Sequence, residues 1–324
     1  MKNDPSQFLA PVSDDLNAVN AVIRKQMHSD IVLIGQIADY IINAGGKRIR
    51  PILLLLMAKA FGYQGTQHHA LAATIEFIHT ATLLHDDVVD EADLRRGRAS
   101  ANTLFGNAAS VLVGDFLYTR AFQMMVSVNS MAVQRILADA TNLIAEGEVM
   151  QLMNARSADL DEAGYYRVIY AKTAKLFEAA CQLGALIAKA SEKEIAAAAA
   201  YGRNLGNAFQ LIDDWLDYAG DRQAMGKSLG NDLKEGKMTL PLIWLMQHGT
   251  KTQKQMIRRS IEEGDERCFE AVFDAVNESQ ALDYTYQMAQ QAARSAIDAI
   301  QFFANSQYYQ SLVELSLFSV KRKY

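Results

Sequence analysis

Residues 81–90, ATLLHDDVVD, join an apolar run to three aspartates. On a helix, Asp86 and Asp90 lie on one face a turn apart, and Asp87 lies beside them. Three carboxylates this close repel one another and therefore require a cation, and hard oxygen ligands suit Mg²⁺. The stretch predicts a magnesium site at the end of an apolar helix.

The same spacing of aspartates occurs a second time, in residues 211–217, LIDDWLD. Here Asp213, Asp214 and Asp217 again lie within an apolar helical stretch. A solvated acidic patch or a helix cap would account for one such cluster, but solvated patches seldom lie inside apolar runs. Two clusters of identical spacing therefore favour metal binding over a surface patch.

Positive charges are grouped in residues 45–51, GGKRIRP. Lys47, Arg48 and Arg50 lie at the entrance of a predicted helix, where Pro51 suits the first turn. The backbone donors and the dipole at a helix start also favour an anion. We expect this segment to bind a phosphate or diphosphate group.

Two further cations, Arg95 and Arg96, follow the first aspartate cluster. The two arginines could simply cover Asp90, Glu91 and Asp93 as surface ion pairs, which contribute about 0 to 1 kcal/mol and need no function. Next to an aspartate-rich metal site, however, diphosphate binding is the more specific interpretation.

Three polar residues interrupt otherwise apolar helical stretches. Lys172 and Thr173 place a cation and a hydroxyl on one such helix, and Gln210 lies one turn before the second cluster. Each is a weak signal alone, because a lysine on a helix is usually solvated and a lone glutamine usually satisfies a backbone group. Their value depends on the two aspartate clusters.

The fold class follows from the scarcity of proline. Among 324 residues the only prolines are Pro5, Pro11, Pro51 and Pro241, and alanine and leucine are abundant, which favours long helices over sheet. No Pro/Gly/Ser-rich linker divides the chain. We predict an all-α fold, a single domain over residues 1–324 formed by a bundle of long helices. Helical spacing is clearest in residues 19–42, 51–61, 69–89, 110–127, 131–154, 172–190, 192–218 and 240–248.

The longest predicted loop lies in residues 220–237, which contain several glycines and charged side chains. Its lysines include Lys227 and Lys237. A charged, glycine-punctuated loop beside a ligand site is typical of a lid, so we expect it to close over the site.

Charge and composition exclude several classes of protein. The net charge of −5 argues against a nucleic-acid binder, which needs a basic face. Cys181 and Cys268 are too few for a disulfide framework. No run is apolar enough to span a bilayer, and the first residues lack the order of a signal peptide. These features indicate a cytoplasmic protein with at most a peripheral membrane contact.

Together these motifs resemble those of the trans polyprenyl diphosphate synthase family, most closely its long-chain bacterial members of the octaprenyl type. The matching segments are residues 45–51, 76–97, the helix with Lys172 and Thr173, residues 209–217 and residues 226–241. The resemblance implies an isoprenoid synthase fold, with helices around a central cavity. It implies an enzyme that adds isopentenyl diphosphate successively to an allylic diphosphate, such as farnesyl diphosphate. The expected product is octaprenyl diphosphate for quinone side chains, made by a homodimer.

The resemblance also assigns roles to individual residues. Two or three Mg²⁺ ions would bind the six cluster aspartates and bridge the allylic diphosphate. The residues expected to bind isopentenyl diphosphate are Lys47, Arg50, His79 and Arg96. The residues expected to contact the allylic diphosphate are Arg95, Lys172, Thr173, Gln210, Lys227 and Lys237. The catalytic set expected from these groups is Asp86, Asp87, Asp90, Lys172, Asp213 and Asp214.

Product length should depend on the residues one turn below the first cluster. Ala81 and Thr82 lie there and are small. In the family, aromatic residues at these positions stop elongation early, so small residues imply a long product. The floor of the tunnel is expected at Met124 and Met125, although both could be ordinary core methionines.

Four alternatives compete with this reading. A di-iron carboxylate bundle would use Glu76 and His79, which match one Glu-x-x-His element, but no second such element occurs. A class I terpene cyclase shares the fold and the first cluster, but usually mixes Asn, Ser and Glu in its second metal site. A non-catalytic partner subunit would be expected to lose one cluster. A prenyl diphosphate synthase of another chain length remains open.

Overall fold

The computed structural model describes residues 6–43, 45–95, 97–219, 230–303 and 306–322. Helices dominate it, and the only sheet in the described part is a two-stranded hairpin, so the all-α prediction is confirmed. The helices of the first half are α1 (Ser6–Leu9), α2 (Ser13–Gln26), α3 (Val32–Asn43), α4 (Ile49–Ala60), α5 (Gln67–Val89), α6 (Ala101–Phe105), α7 (Asn107–Ser127) and α8 (Met131–Asn154). The hairpin joins β1 (Leu94–Arg95) to β2 (Arg98–Ala99).

The second half contains the longest described helix, Glu192–Ala219, and a short π-helical turn. The turn spans Tyr170–Ala174, and three short 3₁₀ turns lie at Ala10–Val12, Glu266–Cys268 and Gln301–Phe303. The helices are α9 (Glu162–Ile169), α10 (Lys175–Ile187), α11 (Glu192–Ala219), α12 (Asn231–Lys234), α13 (Leu240–His248), α14 (Lys251–Glu262), α15 (Phe269–Glu278), α16 (Ala281–Ala299) and α17 (Gln307–Lys321).

The single helix predicted over residues 19–42 is wrong, because α2 ends at Gln26 and α3 begins at Val32. Three of the five residues between them, His28, Ser29 and Asp30, are polar, and the Ser29 hydroxyl accepts a hydrogen bond from the backbone N–H of Ile31. Short polar side chains that bond to nearby backbone groups compete with a helix in this way. The apolar spacing continues across the break, which is why the pattern did not show it.

The core surrounds α4, which is buried on nearly every side. Residues 52–58 of this helix are all buried, and α5 and α10 pack against it. Gly184 of α10 permits the closest approach, because a Cβ there would lie 2.7 Å from the carbonyl oxygen of Leu54. A second apolar core lies around α13 to α16.

The long helix α11 belongs to both cores. Its first half, with Tyr201 and Leu205, packs into the core around α4, and its second half, with Leu211 and Leu216, packs into the other. This helix therefore runs along the whole bundle, and its last two turns reach the cavity described below. None of the helices in the described ranges combines the length and apolarity needed to cross a membrane.

Candidate active site

A large cavity lies between the end of α5 and the end of α11. It has a volume of about 1220 Å³, and residues from both aspartate clusters line it. The two clusters are more than a hundred residues apart in sequence, so the fold brings them together. The cavity predicted for the centre of the bundle is therefore present, and it is lined by the groups that the motifs indicated.

The first cluster lies at the C-terminal end of α5, and each aspartate has a different cationic partner. Asp87 is buried and accepts a hydrogen bond of 2.6 Å from Nε of Arg95. Asp86 lies 3.5 Å from Nζ of Lys172, and Asp90 lies 3.2 Å from Nζ of Lys237. Three cations that the sequence assigned to the allylic diphosphate thus gather at this cluster.

The second cluster lies on α11. Asp213 pairs with Arg322 at 2.7 Å, and Asp214 accepts hydrogen bonds from the Tyr165 hydroxyl at 2.5 Å and from Nε2 of Gln210 at 2.8 Å. Both carboxylate oxygens of Asp217 accept backbone N–H groups at the start of α12. Asp217 therefore connects α11 to the segment that follows residues 220–229.

Burial raises the pKa of two carboxyl groups in the cavity, Asp214 and Asp232. Burial, with the nearby charges of Asp213 and Asp217, raises the pKa of Asp214 to about 7 despite its two hydrogen bonds. Burial also raises the pKa of Asp232 well above its usual value, assisted by Asp217 and Asp214. The positive charge near these groups, such as that of Lys237 beside Asp232, does not offset the effect of burial, and a bound cation would add to it.

The overall charge of the cavity also indicates a site for cations. Among the described residues that line it, twelve are Asp or Glu and seven are Lys or Arg. A diphosphate would meet net repulsion in such a cavity unless divalent cations bound with it. Hard carboxylate oxygens are the ligands that Mg²⁺ prefers, so the donor set fits this metal. Within the described ranges, no three of the six aspartates offer oxygens within 4.8 Å of one another, and Mg²⁺ commonly takes only one or two carboxylates together with phosphate oxygens and waters.

Three of the four predicted ligands of isopentenyl diphosphate line the cavity. Lys47, Arg50 and His79 all line it, and the guanidinium of Arg50 lies 4.5 Å from the ring centre of Phe177. Arg48, which had no assigned role, forms an ion pair with Glu76 of α5. Arg96, the fourth predicted ligand, lies outside the described residues.

The predicted lid is described only in part. Lys227 and residues 220–229 lie outside the described residues, whereas Gly230 to Lys237 form α12 and the turn after it. Although burial alone would lower the pKa of Lys237, the carboxylates of Asp90 and Glu235 raise it. Lys237 therefore carries its charge next to the first cluster.

Lys172 and Thr173 lie in the π-helical turn that precedes α10. Such turns are rare and often occur at functional sites. The Thr173 hydroxyl donates to Oε1 of Gln210 at 2.9 Å, and Gln210 donates in turn to Asp214. A chain of hydrogen bonds thus joins two of the three weak polar signals of the sequence, Thr173 and Gln210, to the second cluster.

The residues predicted to set product length are only partly at the cavity. Thr82 is half-buried and lines it, whereas Ala81 is fully buried and does not. Met124 is buried on α7 and Met125 is half-buried there, and neither lines the cavity. The structure therefore places Thr82 at the wall and leaves the two methionines in the packing of α7.

Several polar residues of the cavity were missed by the motifs. Glu148 of α8 accepts a hydrogen bond of 2.6 Å from Nζ of Lys172, and burial raises its pKa to about 7 although Lys172 lowers it. Tyr165 donates a hydrogen bond to Asp214, and Arg322, near the C-terminal end, lies over the ring of Phe209. Their sequence surroundings carry no repeated spacing that would have distinguished them.

Comparison with known proteins agrees with this geometry. A sequence profile described as polyprenyl synthetase matches residues 31–279. The chain is 53% identical to an octaprenyl diphosphate synthase of Escherichia coli over 311 residues, which is 96% of each chain. It is 50% identical to an octaprenyl diphosphate synthase of Haemophilus influenzae over 325 residues, covering 100% of this chain and 98% of that one.

A similar protein of known structure is a polyprenyl synthase from Caulobacter crescentus, solved with calcium and isoprenyl diphosphate. It superposes with a TM-score of 0.95 at 42% identity, covering 99% of this chain and 98% of that one. Both the fold and the sequence therefore agree along nearly the full length. This chain belongs to the polyprenyl synthetase family, and it is an enzyme that transfers prenyl groups.

Proposed function

We propose that the enzyme adds isopentenyl diphosphate units successively, in the trans configuration, to farnesyl diphosphate or a similar allylic diphosphate. The product would be octaprenyl diphosphate, which supplies the prenyl side chain of a quinone. The observation that carries the proposal is one cavity lined by two aspartate clusters, with more carboxylates than cations among its described residues. The similarity to two octaprenyl diphosphate synthases supports the product length.

Two or three Mg²⁺ ions would be held by the aspartates of the two clusters. When bound, they would neutralise the diphosphate and assist departure of pyrophosphate, a contribution of several kcal/mol per ion. The relative that was solved with calcium and isoprenyl diphosphate supports a site for a divalent metal and a diphosphate together. The excess of carboxylates in the cavity supports it independently.

The allylic diphosphate would lie between the clusters. Arg95 and Lys172, which now pair with Asp87 and Asp86, would turn towards the leaving diphosphate, and Lys227 and Lys237 would close over it. Gln210 and Thr173 would face the allylic carbon as neutral dipoles, which stabilise positive charge without trapping it. This arrangement favours breaking of the carbon–oxygen bond.

Isopentenyl diphosphate would bind on the opposite wall through Lys47, Arg50, His79 and Arg96. Holding its double bond next to the allylic carbon replaces a bimolecular encounter with a local one. Once the carbon–oxygen bond has broken, the isopentenyl double bond attacks the allylic cation to form the new carbon–carbon bond, and the proton lost afterwards passes to the released pyrophosphate. No side-chain base is assigned to this last step.

The growing chain would descend past Ala81 and Thr82 towards Met124 and Met125. Each unit adds five carbons, and burial at about 0.8 kcal/mol per CH₂ makes each addition worth up to roughly 4 kcal/mol. Long products should therefore leave slowly. The small side chains at the two α5 positions support a long rather than a short product.

We also propose a cytoplasmic homodimer that does not bind nucleic acid and touches the membrane only to release product. Neighbouring helices α7 and α8 expose apolar side chains that a second copy of the chain would bury. They include Leu112, Val126, Val149 and Met153. Light scattering after gel filtration tests this assembly. A dimer mass is expected, and a monomer at micromolar concentration would contradict it.

The test of the reaction is to supply Mg²⁺, labelled isopentenyl diphosphate and farnesyl diphosphate, and to size the extracted products by chromatography. A ladder that ends at eight prenyl units is expected. A ladder of another length would revise the product but keep the reaction. Release of a cyclic hydrocarbon from farnesyl diphosphate alone would instead identify a terpene cyclase.

A further inference from the structure

Lys172 lies between carboxylates from two different helices. Its Nζ donates to Oε2 of Glu148 at 2.6 Å and lies 3.5 Å from Oδ2 of Asp86. Asp86 is a metal ligand under the proposed function, so Mg²⁺ would compete with Lys172 for its carboxylate. Glu148 belongs to neither aspartate cluster. Glu148 can therefore keep its hydrogen bond to Lys172 when Asp86 binds a metal ion.

The approach of α8 to the π-helical turn sets the position of Glu148. A Cβ at Gly147 would lie 2.7 Å from the backbone nitrogen of Lys172 and 2.9 Å from Cβ of Ala171. Real Cβ atoms essentially never come so close to a neighbouring backbone, so only glycine allows this contact. Gly147 thus brings the next residue, Glu148, within hydrogen-bonding reach of Lys172.

The pair is shielded from water more than a typical surface ion pair. The side chain of Lys172 is 20% exposed and that of Glu148 is 30% exposed. Surface pairs are weak because of solvent screening and the entropy of two long side chains. A lysine has a flexible four-carbon stem, so a charged hydrogen bond at 2.6 Å removes much of its freedom before a ligand binds.

We propose that Glu148 is a positioning residue, which holds the ammonium of Lys172 ready for the allylic diphosphate. The inference rests on the proposed function, because it requires a diphosphate in the cavity. Glu148 would not contact the diphosphate itself, since two anionic groups repel each other. Its effect should pass through Lys172 and should be confined to the allylic half of the site.

The test compares Glu148→Ala, Glu148→Gln and a control, Glu146→Ala, in steady-state assays with each substrate varied in turn. Glu146 is exposed on the same helix, so its replacement should change neither KM. Glu148→Ala should raise KM for farnesyl diphosphate about tenfold, the loss expected for a charged hydrogen bond, and leave KM for isopentenyl diphosphate within about twofold. Glu148→Gln keeps an acceptor and should restore part of the affinity.

Dependence on Lys172 is tested by repeating Glu148→Ala in a Lys172→Met background. The further change in KM for farnesyl diphosphate should be less than about twofold, because the group that Glu148 positions is gone. Equal losses in both backgrounds, or equal changes in both KM values, would overturn the inference. Circular dichroism and thermal unfolding of each variant identify any that fail to fold.

A binding measurement separates this inference from the proposed function. Calorimetric titration of inorganic pyrophosphate in the presence of Mg²⁺ should show weaker binding to Glu148→Ala than to wild type and to Glu146→Ala. Unchanged pyrophosphate binding would overturn the positioning role even if wild type elongates normally. A wild type that elongates nothing would refute the proposed function, whatever the variants show.

Discussion

Tyr165 shows how a residue outside any motif controls a residue inside one. Its buried hydroxyl donates to Oδ2 of Asp214, while Gln210 donates to Oδ1. Burial raises the pKa of Asp214 to about 7, and these two hydrogen bonds oppose the rise because they stabilise the charged form. The availability of Asp214 for a metal therefore depends on Tyr165.

The first prediction concerns pH. Only charged Asp214 is a good metal ligand, and its charged fraction falls as the pH drops through about 7, so apparent Mg²⁺ affinity should weaken from pH 8 to pH 6. Tyr165→Phe removes one opposing hydrogen bond, raises the pKa further and should move the loss to higher pH. Activity titrated with Mg²⁺ at several pH values measures both effects. Tyr166→Phe, at the half-buried neighbour, is the matched control.

The second prediction concerns product length. Thr82→Phe places a ring at the cavity wall and should shorten the longest product by several prenyl units. Ala81→Phe should also shorten it, but Ala81 is fully buried, so this variant should lose about 1 to 3 kcal/mol of stability through overpacking. Chromatography of the extracted products measures both. A product of unchanged length from both variants would contradict a tunnel along this face of α5.

At the scale of helices, sequence periodicity predicted seven of the seventeen described helices: α4, α5, α7, α8, α10, α11 and α13. The segments predicted at residues 131–154 and 240–248 match α8 and α13 at both ends. The break between α2 and α3 and the π-helical turn at 170–174 were missed. Both change the backbone without interrupting the apolar spacing, so a pattern of residue types carries no sign of them.

Asp15 of α2 binds side chains of α4 and α5. Oδ1 of Asp15 lies 2.9 Å from Nε2 of His68 and 2.7 Å from Nε2 of His69, and its other oxygen lies 3.3 Å from Nζ of Lys59. Burial would raise the pKa of Asp15, but the hydrogen bonds from His69 and His68 outweigh it and lower the pKa. The charged carboxylate therefore stabilises the folded state.

The third prediction is that Asp15→Asn reduces the free energy of unfolding by about 2 kcal/mol at pH 7, as expected for hydrogen bonds to a charged group. The folded pKa lies below the ordinary value of 3.8. This contribution should therefore be complete above pH 3.8 and disappear as the pH falls through the folded pKa. Urea unfolding of both proteins measures it. Asp14→Asn, at the exposed neighbour, should change little.

At the scale of the whole molecule, α11 joins two apolar cores and carries the second aspartate cluster. The sequence identified the clusters and many of the cations, since these lie in short motifs. It did not identify Arg322 as the partner of Asp213, or Glu148 as the partner of Lys172. Such pairs depend on which helices become neighbours, and local spacing contains no information about that.

The fourth prediction is that both cores unfold together, as a single domain would. Trp215 and Trp244 are the two tryptophans, and both pack against the core around α13 to α16. Their fluorescence reports that core, whereas circular dichroism reports the helices of the whole chain. The two probes should show the same urea midpoint. Separate midpoints would indicate two domains that unfold independently.

The central claim is that both aspartate clusters act together in metal-dependent elongation. The most direct measurement is product formation from isopentenyl and farnesyl diphosphates with Mg²⁺ by Asp86→Ala, Asp213→Ala and a control, Asp274→Ala, which is exposed on α15. Each cluster variant should lose at least about a hundredfold in rate, while the control keeps wild-type activity and product length. Near-normal elongation by either cluster variant would contradict the account.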